Sequence, residues 1–246
     1  MILERRQYDL KLATAGLYWD AQQRWNRKGP VMEVVRCNLG HFESVVAGQE
    51  RIVHLYAYES HEQMREKYAY ALANHAKAYF LEVRPLFHRQ QNAIYIPAPH
   101  PELNSARFGG VLQDPAEAVA AAGSSPADLC VVEEVIDLQP GALPAFWEAY
   151  RGYLDSPASP ADHQLIGAFS STIGALNQVL QYRWFDTADI AAGYFAGLAT
   201  DAAWASFSAA IRPSVVAFQR NLLRPSPKPW LRSVLQKVDW EALEGS

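Results

Sequence analysis

The sequence has few of the residues that stabilise a fold through disulfide bonds or bound metal ions. Only two of its 246 residues, Cys37 and Cys130, are cysteines, which excludes a disulfide framework and favours a reducing, cytoplasmic location. Its seven histidines are dispersed, and none of them pairs at metal-ligand spacing. It also lacks an apolar run of the roughly 18 to 20 residues that a membrane span requires. We therefore expect neither a metal site nor a transmembrane segment.

Strong charge of one sign is absent as well. Lys and Arg total 22 and Asp and Glu total 26, so the formal net charge is −4. Nucleic-acid binding requires a clustered basic face, whereas these basic residues are scattered. No P-loop, G-x-G-x-x-G, G-x-S-x-G, H-E-x-x-H or C-x-x-C motif occurs. The chain is half hydrophobic and one fifth charged, which is typical of a globular protein with a sizeable core. We expect no cofactor and no nucleic-acid partner.

The most informative feature present is an internal repeat. When the second half is laid on the first with a shift of 127 to 128 residues, five landmarks keep their order and spacing. They are Tyr8-Asp9-Leu10 with Ile136-Asp137-Leu138, Leu39-Gly40-His41-Phe42 with Ile166-Gly167-Ala168-Phe169, Ile52–Ser60 with Val179–Thr187, Arg84-Pro85 with Arg212-Pro213, and Pro97-Ala98-Pro99 with Pro225-Ser226-Pro227. The sequence therefore predicts a tandem duplication.

The repeat sets the predicted domain boundaries. The units occupy residues 1–100 and 128–228, and a linker rich in Pro, Gly, Ser and Ala fills residues 101–127. Within the linker, Asp114-Pro115-Ala116-Glu117 is typical of a helix start, so we expect one short linker helix. Residues 229–246 form a tail whose Trp and aliphatic residues could lie on one helical stripe that docks on the body.

Each unit shows the same order of predicted elements, which is strand, helix, strand, strand, helix, strand. The strands are expected at about 2–10, 39–46, 51–58 and 91–96, and at 129–138, 166–173, 178–185 and 219–224. Gly48 and Gly174 mark the two hairpin loops. This order is the ferredoxin-like βαββαβ arrangement. Because its helices cover one sheet face only, two units would bury their open faces against each other. The predicted fold is α+β, with two tandem ferredoxin-like units in a dimeric α+β barrel architecture and the helices outside.

Several segments together resemble the NIPSNAP family. They are Leu3–Tyr8, Arg51–Ser60, Asn177–Thr187 and the Arg-Pro helices, and the resemblance spans about four fifths of the chain. The family pattern is Asn-Gln-Val-Val-His-Leu-Trp-x-Tyr-Asp-Ser. The first unit has the His as His54 but has Glu50-Arg51 in place of Asn-Gln, and the second unit has Asn177-Gln178 but Gln181 in place of the His. The resemblance implies a ferredoxin-like fold of the dimeric α+β barrel superfamily and no agreed enzymatic activity.

Strand alternation selects the candidate site residues. If Glu43 lies opposite His54 in the first hairpin, then His41, Glu43, His54 and Tyr56 share one sheet face, and the apolar alternate residues pack on the helices. In the second unit the same parity places Gln181 and Arg183 on the polar face. Both polar faces would then line a shared cleft inside the barrel. In that cleft His54, Glu43 and Tyr56 would be catalytic, with the carboxylate holding the imidazole tautomer, and Arg183, Gln181 and His41 would bind a ligand. The favoured alternative is that His54 is a hydrogen-bonded histidine in a sheet interface, because buried polar groups are often merely paired.

Two classes of function fit these features. The favoured class is a non-catalytic binding or scaffold module of NIPSNAP type, because the catalytic inventory is thin and the family motif is split between the units. The alternative is a metabolite-binding protein or cofactor-free enzyme, similar to a monooxygenase or an isomerase, that takes a small apolar or anionic metabolite. The sequence leaves open whether the protein is an enzyme, whether the barrel closes within one chain, and whether the chain forms a homo-oligomer.

Overall fold

Strands β1 to β8 of the described residues close into one barrel in which all neighbours are antiparallel. The computed structural model describes residues 1–26, 29, 31–45, 50–74, 77–156 and 164–244. The strands are β1 (Ile2–Leu10), β2 (Asn38–Ser44), β3 (Arg51–Tyr58), β4 (Phe87–Pro97), β5 (Cys130–Leu138), β6 (Leu165–Ile173), β7 (Gln178–Phe185) and β8 (Val215–Pro225). Their order around the barrel is β1-β3-β2-β8-β5-β7-β6-β4.

The two halves of the barrel have the same strand order. The first half runs β4-β1-β3-β2 and the second runs β8-β5-β7-β6. Two further ladders, β2 with β8 and β4 with β6, join the halves edge to edge. The barrel therefore closes within a single chain, which the sequence had left open.

The helices pack on the outer face of the barrel. They are α1 (Ala15–Trp25), α2 (Met32–Val35), α3 (His61–Ala73), α4 (Lys77–Val83), α5 (Pro115–Ala121), α6 (Leu143–Leu154), α7 (Ala188–Leu198), α8 (Ala202–Ile211) and α9 (Trp240–Glu244). The side chains of Ser60, Thr187 and Asp201 cap α3, α7 and α8 by accepting backbone N–H bonds. The linker helix is α5, and Asp114 caps it as its sequence predicts. Helix α2 has no counterpart among the predicted elements.

Apolar side chains from both halves fill the barrel interior. One buried cluster unites every strand, and its members on the strands include Leu3, Phe42, Val53, Leu55, Tyr95, Val131, Phe169, Leu180, Tyr182 and Leu223. Because these residues come from strands all round the barrel, they meet inside it. Phe108 and Val119 of the linker and Val234 and Leu235 of the tail join the same cluster. The linker and the tail thus complete the core.

Glycine is required at one equivalent position in each half. A Cβ at Gly40 would lie 2.3 Å from the ring of Phe42, and a Cβ at Gly167 would lie 2.7 Å from the ring of Phe169. Each glycine adjoins a register shift in its hairpin. Each buried Phe therefore folds over the backbone of its own strand, which only a residue without a Cβ allows.

Three sequence expectations need correction or fall outside the described residues. Strands β4 and β8 begin at Phe87 and Val215, four residues before their predicted starts near 91 and 219. The tail is irregular between the short turn at Pro229–Leu231 and α9, so it forms no single helical stripe, although Trp230, Leu231, Val234 and Leu235 are buried. The predicted loop at Gly48 lies outside the described residues. Among the described helices, none is long and apolar enough to cross a bilayer.

A buried ion pair links the two halves through the barrel interior. Arg5 on β1 contacts Glu133 on β5 with two hydrogen bonds, Nε to Oε1 at 2.7 Å and Nη2 to Oε2 at 3.0 Å. Tyr182 and Asn221 also donate to the carboxylate, which is fully buried. Burial by itself would raise the pKa of Glu133, but the charge and hydrogen bonds of Arg5, with those of Tyr182 and Asn221, hold that pKa below its usual value. Glu133 is therefore ionised and fully hydrogen-bonded.

We predict that Glu133→Gln destabilises the fold by about 3 to 5 kcal/mol, because it leaves the Arg5 cation unpaired in the interior. Urea denaturation measures the loss. The double variant Arg5→Met/Glu133→Met should be more stable than either single methionine variant, since it buries no charge. The exposed pair of Glu62 with Arg65 supplies the control, and Glu62→Gln should leave stability nearly unchanged. Equal effects of Glu133→Gln and Glu62→Gln would contradict the prediction.

Candidate functional site

A cavity lies between the outer sheet face of the first half and its helices. It has a volume of about 230 Å³. We call it the first pocket. Its walls include Arg6 and Tyr8 of β1, Tyr56 of β3, Asn26 after α1, Met64, Tyr68 and Ala71 of α3, Tyr79, Phe80 and Val83 of α4, and Phe87, Gln90 and Asn92 of β4. Alternation along β1 aims Glu4, Arg6 and Tyr8 at the helices, while Leu3 and Arg5 face the barrel interior.

Arg6 is the central charged group of this pocket. Only 8% of the surface of Arg6 is accessible to solvent. The guanidinium carbon lies 4.1 Å from the ring centroid of Tyr56 and 4.9 Å from that of Tyr68, so two aromatic rings hold the cation. Its Nη2 donates to Glu4 Oε2 at 2.9 Å. Among the described residues, none accepts a hydrogen bond from its Nε.

Glu4 balances the charge of Arg6. Its carboxylate also accepts hydrogen bonds from Tyr68 at 2.9 Å, Asn92 at 3.1 Å and Tyr58 at 3.4 Å. The carboxylate is therefore well satisfied, and the Arg6–Glu4 pair carries no net charge. Arg84 also lines the pocket, so its charged lining residues are one carboxylate and two guanidinium groups.

Two histidines and two tyrosines form a closed hydrogen-bonded ring behind the pocket. The Tyr18 hydroxyl lies 2.5 Å from His54 Nε2 and 3.2 Å from His41 Nδ1. The Tyr56 hydroxyl lies 3.2 Å from His41 Nε2 and 3.4 Å from His54 Nδ1. The two imidazoles stack with centroids 3.4 Å apart and planes 4° from parallel. All four side chains are buried.

This ring is satisfied only when both histidines are neutral. A neutral imidazole offers one donor and one acceptor, and each hydroxyl donates once and accepts once, so four protons serve the four contacts. A fifth proton would leave one hydroxyl proton without an acceptor inside the ring. Burial lowers the pKa of His41 well below its usual value, and the charge of Arg6 lowers it further. The pKa of His54 is also well below its usual value, because of burial and the nearby His41 and Arg6. Burial raises the pKa of Tyr18 and of Tyr56, which keeps both phenols protonated.

The predicted facing of the strands is wrong. The parity is as expected, since His41, His54 and Tyr56 share a face, but that face packs on α1, α3 and α4, and the apolar alternate face lines the barrel. The physical reason is that the Tyr18 hydroxyl of α1 contacts both histidines, whereas the inward face presents the Phe, Leu and Val side chains of the core cluster. There is no shared cleft in which His54 meets Arg183.

The predicted register also needs correction at Glu43. His41 lies opposite His54, and Glu43 lies opposite Ile52. Glu43 accepts a hydrogen bond from Trp19 Nε1 at 3.3 Å and lies 3.2 Å from Arg224. Neither nitrogen of His54 contacts it, so Glu43 does not set the imidazole tautomer. The structure brings together His54, Tyr56 and His41, and leaves Glu43 apart.

Gln181 and Arg183 lie on the outer face of the second half. Arg183 Nη1 donates to Glu134 Oε2 at 2.6 Å and to Gln181 Oε1 at 3.0 Å. Arg220 donates to the other oxygen of Glu134 at 2.7 Å. Arg183 is thus engaged in a buried network, next to a second cavity of about 290 Å³ that we call the second pocket. Its lining residues are Glu134, Ile136, Gln181, Trp204, Phe207, Ser208, Ile211, Arg212, Val215, Phe218 and Arg220.

The two pockets are built on equivalent positions. Nine lining positions of the first pocket correspond to nine lining positions of the second at an offset of 128 residues. In the first pocket they are Arg6, Tyr8, Tyr79, Phe80, Val83, Arg84, Phe87, Gln90 and Asn92. In the second they are, in the same order, Glu134, Ile136, Phe207, Ser208, Ile211, Arg212, Val215, Phe218 and Arg220. Each half therefore makes a pocket from the same places in the fold, while the side chains differ. A carboxylate replaces the central arginine, and apolar residues replace the tyrosines.

The NIPSNAP family model matches residues 134–229. This part of the chain belongs to the NIPSNAP family. The NIPSNAP segment contains β6, β7, β8 and most of β5, with Gln181, Arg183 and the whole lining of the second pocket. Arg6, the His–Tyr ring and the first pocket lie outside it.

Solved structures resemble the whole barrel. A proposed monooxygenase from Fusobacterium nucleatum has a TM-score of 0.57 at 12% identity, and the match covers 92% of each chain. A proposed monooxygenase from Lactobacillus acidophilus has a TM-score of 0.55 at 10% identity, covering 92% of this chain and 93% of that one. An anthrone oxidase-like protein has a TM-score of 0.56 at 12% identity, covering 91% and 90%. These similarities establish the fold. No curated protein matches the chain.

Sequence reasoning missed Arg6, Tyr18, Tyr68 and Asn26. The alternation of Glu4, Arg6 and Tyr8 on one face of β1 was a usable signal, because a strand face that repeats polar residues needs polar partners. Asn26 carried no such signal, since its burial depends on how α1 packs on α4. In the described part of the chain, no group of three or more His, Cys, Asp or Glu residues is placed to hold a metal.

The neutral ring predicts acid-sensitive stability. The folded pKa values of His41 and His54 lie below the unfolded value of about 6.5, so below pH 6.5 the unfolded chain binds more protons and stability falls with falling pH. Each histidine contributes a slope of up to about 1.4 kcal/mol per pH unit. We predict that His54→Gln, the residue found at the equivalent Gln181, reduces this slope between pH 6.5 and 5.5.

Urea denaturation at several pH values measures the slope. The exposed His88 provides the control, and His88→Gln should keep the wild-type slope. Indistinguishable slopes for wild type and His54→Gln would show that the buried histidines do not govern the response to acid.

Proposed function

We propose that this protein binds a small organic molecule in the first pocket. The observation that carries the proposal is Arg6, which is buried, held between two tyrosine rings, and left without a described partner at Nε. A buried donor without a partner costs roughly 1 to 3 kcal/mol, and native proteins rarely retain one without a reason.

The function that the sequence favours is a non-catalytic scaffold that acts through its surface. The pocket favours small-molecule binding over a scaffold, because the unsatisfied group belongs to a buried residue that lines a cavity. Small-molecule binding is the alternative that the sequence offered, with a small apolar or anionic metabolite as the ligand. The site differs from the expected one, since it lies between sheet and helices within one half.

Catalysis is a second candidate, supported by one observation. The aromatic side chain of Tyr56 lines the pocket, and its hydroxyl contacts His41 and His54. The hydrogen-bonded His–Tyr ring therefore reaches the pocket wall. A cofactor-free proton transfer would use Tyr56 and His54 in the roles that the sequence assigned to them. Neighbours described as proposed monooxygenases and as anthrone oxidase-like share only the fold at about 12% identity or less, so their names add no residue-level support.

We also infer that the chain is a tandem duplication of ferredoxin-like units. The proposed units are residues 1–100 and 128–228, joined by 101–127 and followed by the tail at 229–246. The shared strand order and the 128-residue offset between the two pockets support this inference. Under this view, the first unit has acquired the polar pocket while the second retains the segment that matches the family.

Filling the pocket should weaken ligand binding. Ala71 and Met64 both line it from α3, and Ala71→Leu and Met64→Phe each add volume inside it. In ligand-observed NMR with a library of one-ring and two-ring compounds, wild type should bind a subset, and each filling variant should weaken those hits at least tenfold. Two independent variants protect the test against one that packs poorly.

The matched control is Arg65→Met, which changes an exposed arginine on the same helix. It should bind the same compounds as wild type. If the hits bind both filling variants as tightly as wild type, the ligand site is elsewhere and the proposal is wrong.

A further inference from the structure

The second pocket combines apolar walls with charged groups. Its charged lining residues are Glu134, Arg212 and Arg220, and Gln181 and Ser208 also line it. The apolar lining residues come from β5, α8 and β8, and three are aliphatic and three aromatic. They are Ile136, Trp204, Phe207, Ile211, Val215 and Phe218. Because Phe218 is 49% exposed, the pocket opens to solvent along β8. A ligand there would meet apolar surface and charge together.

The carboxylate contributes little negative charge to the accessible surface of this pocket. Glu134 is only 3% exposed. Its Oε2 accepts from Arg183, and its Oε1 accepts from Nε and Nη2 of Arg220 at 3.1 and 2.7 Å. Both oxygens are therefore engaged by guanidinium groups. The accessible charge of the pocket belongs to its two lining arginines.

These two arginines are open to a further partner. The side chain of Arg220 remains 32% exposed although it is bonded to Glu134. Its guanidinium carbon lies 3.5 Å from the ring centroid of Phe195, which holds the cation in place. Arg212 follows α8 and is exposed, and no carboxylate of the described residues forms an ion pair with it. A guanidinium group that is fixed and accessible is well suited to bind a carboxylate.

Small side chains provide the space beside these arginines. At the 128-residue offset, Ser208 takes the place of Phe80, and Val215 takes the place of Phe87. The second pocket has a volume of about 290 Å³, roughly twice the 150 Å³ or so of an apolar cavity that accepts benzene. An apolar tail of medium length can therefore be buried there.

We propose that the second pocket binds an amphipathic monocarboxylate, whose apolar tail packs against the walls from α8 and β8 and whose carboxylate pairs with Arg220. A single negative charge matches the site, because a dianion would also be repelled by the nearby Glu134. This site lies in the other half of the barrel from the first pocket. The two proposals can therefore fail separately.

Ligands that differ in one feature at a time test the proposal by titration calorimetry on wild type. Hexanoate, heptanoate and octanoate should bind with an affinity that rises about three- to fourfold per methylene, because each added CH₂ is buried. The uncharged 1-octanol should bind about tenfold more weakly than octanoate, since it cannot form the ion pair. Equal affinity for the three acids would overturn the proposal, and so would 1-octanol binding as tightly as octanoate.

Two variants fill the pocket with residues that the first half carries at the same places. Ser208→Phe and Val215→Phe should each weaken octanoate binding at least tenfold, because the ring occupies the space of the tail. Ala71→Leu, which fills the first pocket, should leave the affinity for octanoate unchanged. Two independent filling variants protect the test against one that packs poorly.

A third variant tests the carboxylate contact. Arg220→Met should weaken octanoate about tenfold and leave 1-octanol unaffected. Glu134 keeps its bond from Arg183 in this variant, so no carboxylate is left unpaired. The matched control is Arg224→Met, which removes an exposed arginine from the same strand and should bind octanoate as wild type does.

The remaining outcomes separate this inference from the proposed function. If Ala71→Leu weakens octanoate while Ser208→Phe and Val215→Phe do not, the acid binds in the first pocket, and only the proposal for the second pocket is wrong. That proposal is also wrong if wild type does not bind octanoate, or if Arg224→Met weakens octanoate as much as Arg220→Met does. Tighter binding of octyl phosphate than of octanoate would contradict the monocarboxylate class.

Discussion

The contact between Arg5 and Glu133 is the interaction on which the rest of the barrel depends. The two residues are 128 positions apart, which is the offset of the sequence repeat, so they occupy the same place in the two halves. In a barrel closed by two identical units, a residue at this place would face its own copy. Two arginines or two glutamates would repel inside the core, whereas arginine and glutamate attract. At this place the charge of each half therefore attracts that of the other half, whereas two copies of the same half would bring like charges together.

The same complementarity separates the inward and outward sheet faces. The inward faces carry the ion pair, the apolar cluster around it, and polar residues such as Gln7 and Gln178 that line a cavity of about 580 Å³. The outward faces carry Arg6, Glu134 and the His–Tyr ring. The helices cover those faces, and the gaps left between sheet and helices become the two pockets. The family-matched half has an engaged Glu134, held by Arg183 and Arg220. The other half leaves the Nε donor of Arg6 without a partner among the described residues, so the two pockets differ in charge and in hydrogen bonding.

The sequence predicted the elements more accurately than their environment. Alternation located β1, β3 and β7 to within a residue, and the parity of His41, His54 and Tyr56 was correct. Alternation says which residues share a face, but it does not say which face points inward, and the presence of histidines suggested a cleft. The structure shows that Tyr18 on helix α1 and Tyr56 on β3 satisfy those histidines, and the contact from α1 is long-range with no local signal. The early starts of β4 and β8 were missed for a related reason. Their first residues, such as His88, Arg89 and Gln90, are exposed and polar, so the ladder to β1 extends them without any apolar pattern.

The comparison of the two halves also indicates how such a site could evolve. The same nine places in the fold line both pockets, and the backbone at each place is set by the barrel and not by the ligand. Side chains there are free to change as long as each buried polar group keeps a partner. In the second half the network of Glu134, Arg183 and Arg220 closes on itself, which favours stability. In the first half Glu4 satisfies only one edge of Arg6, and Nε on the other edge has no partner among the described residues. This unsatisfied edge distinguishes the first pocket from the closed network beside the second.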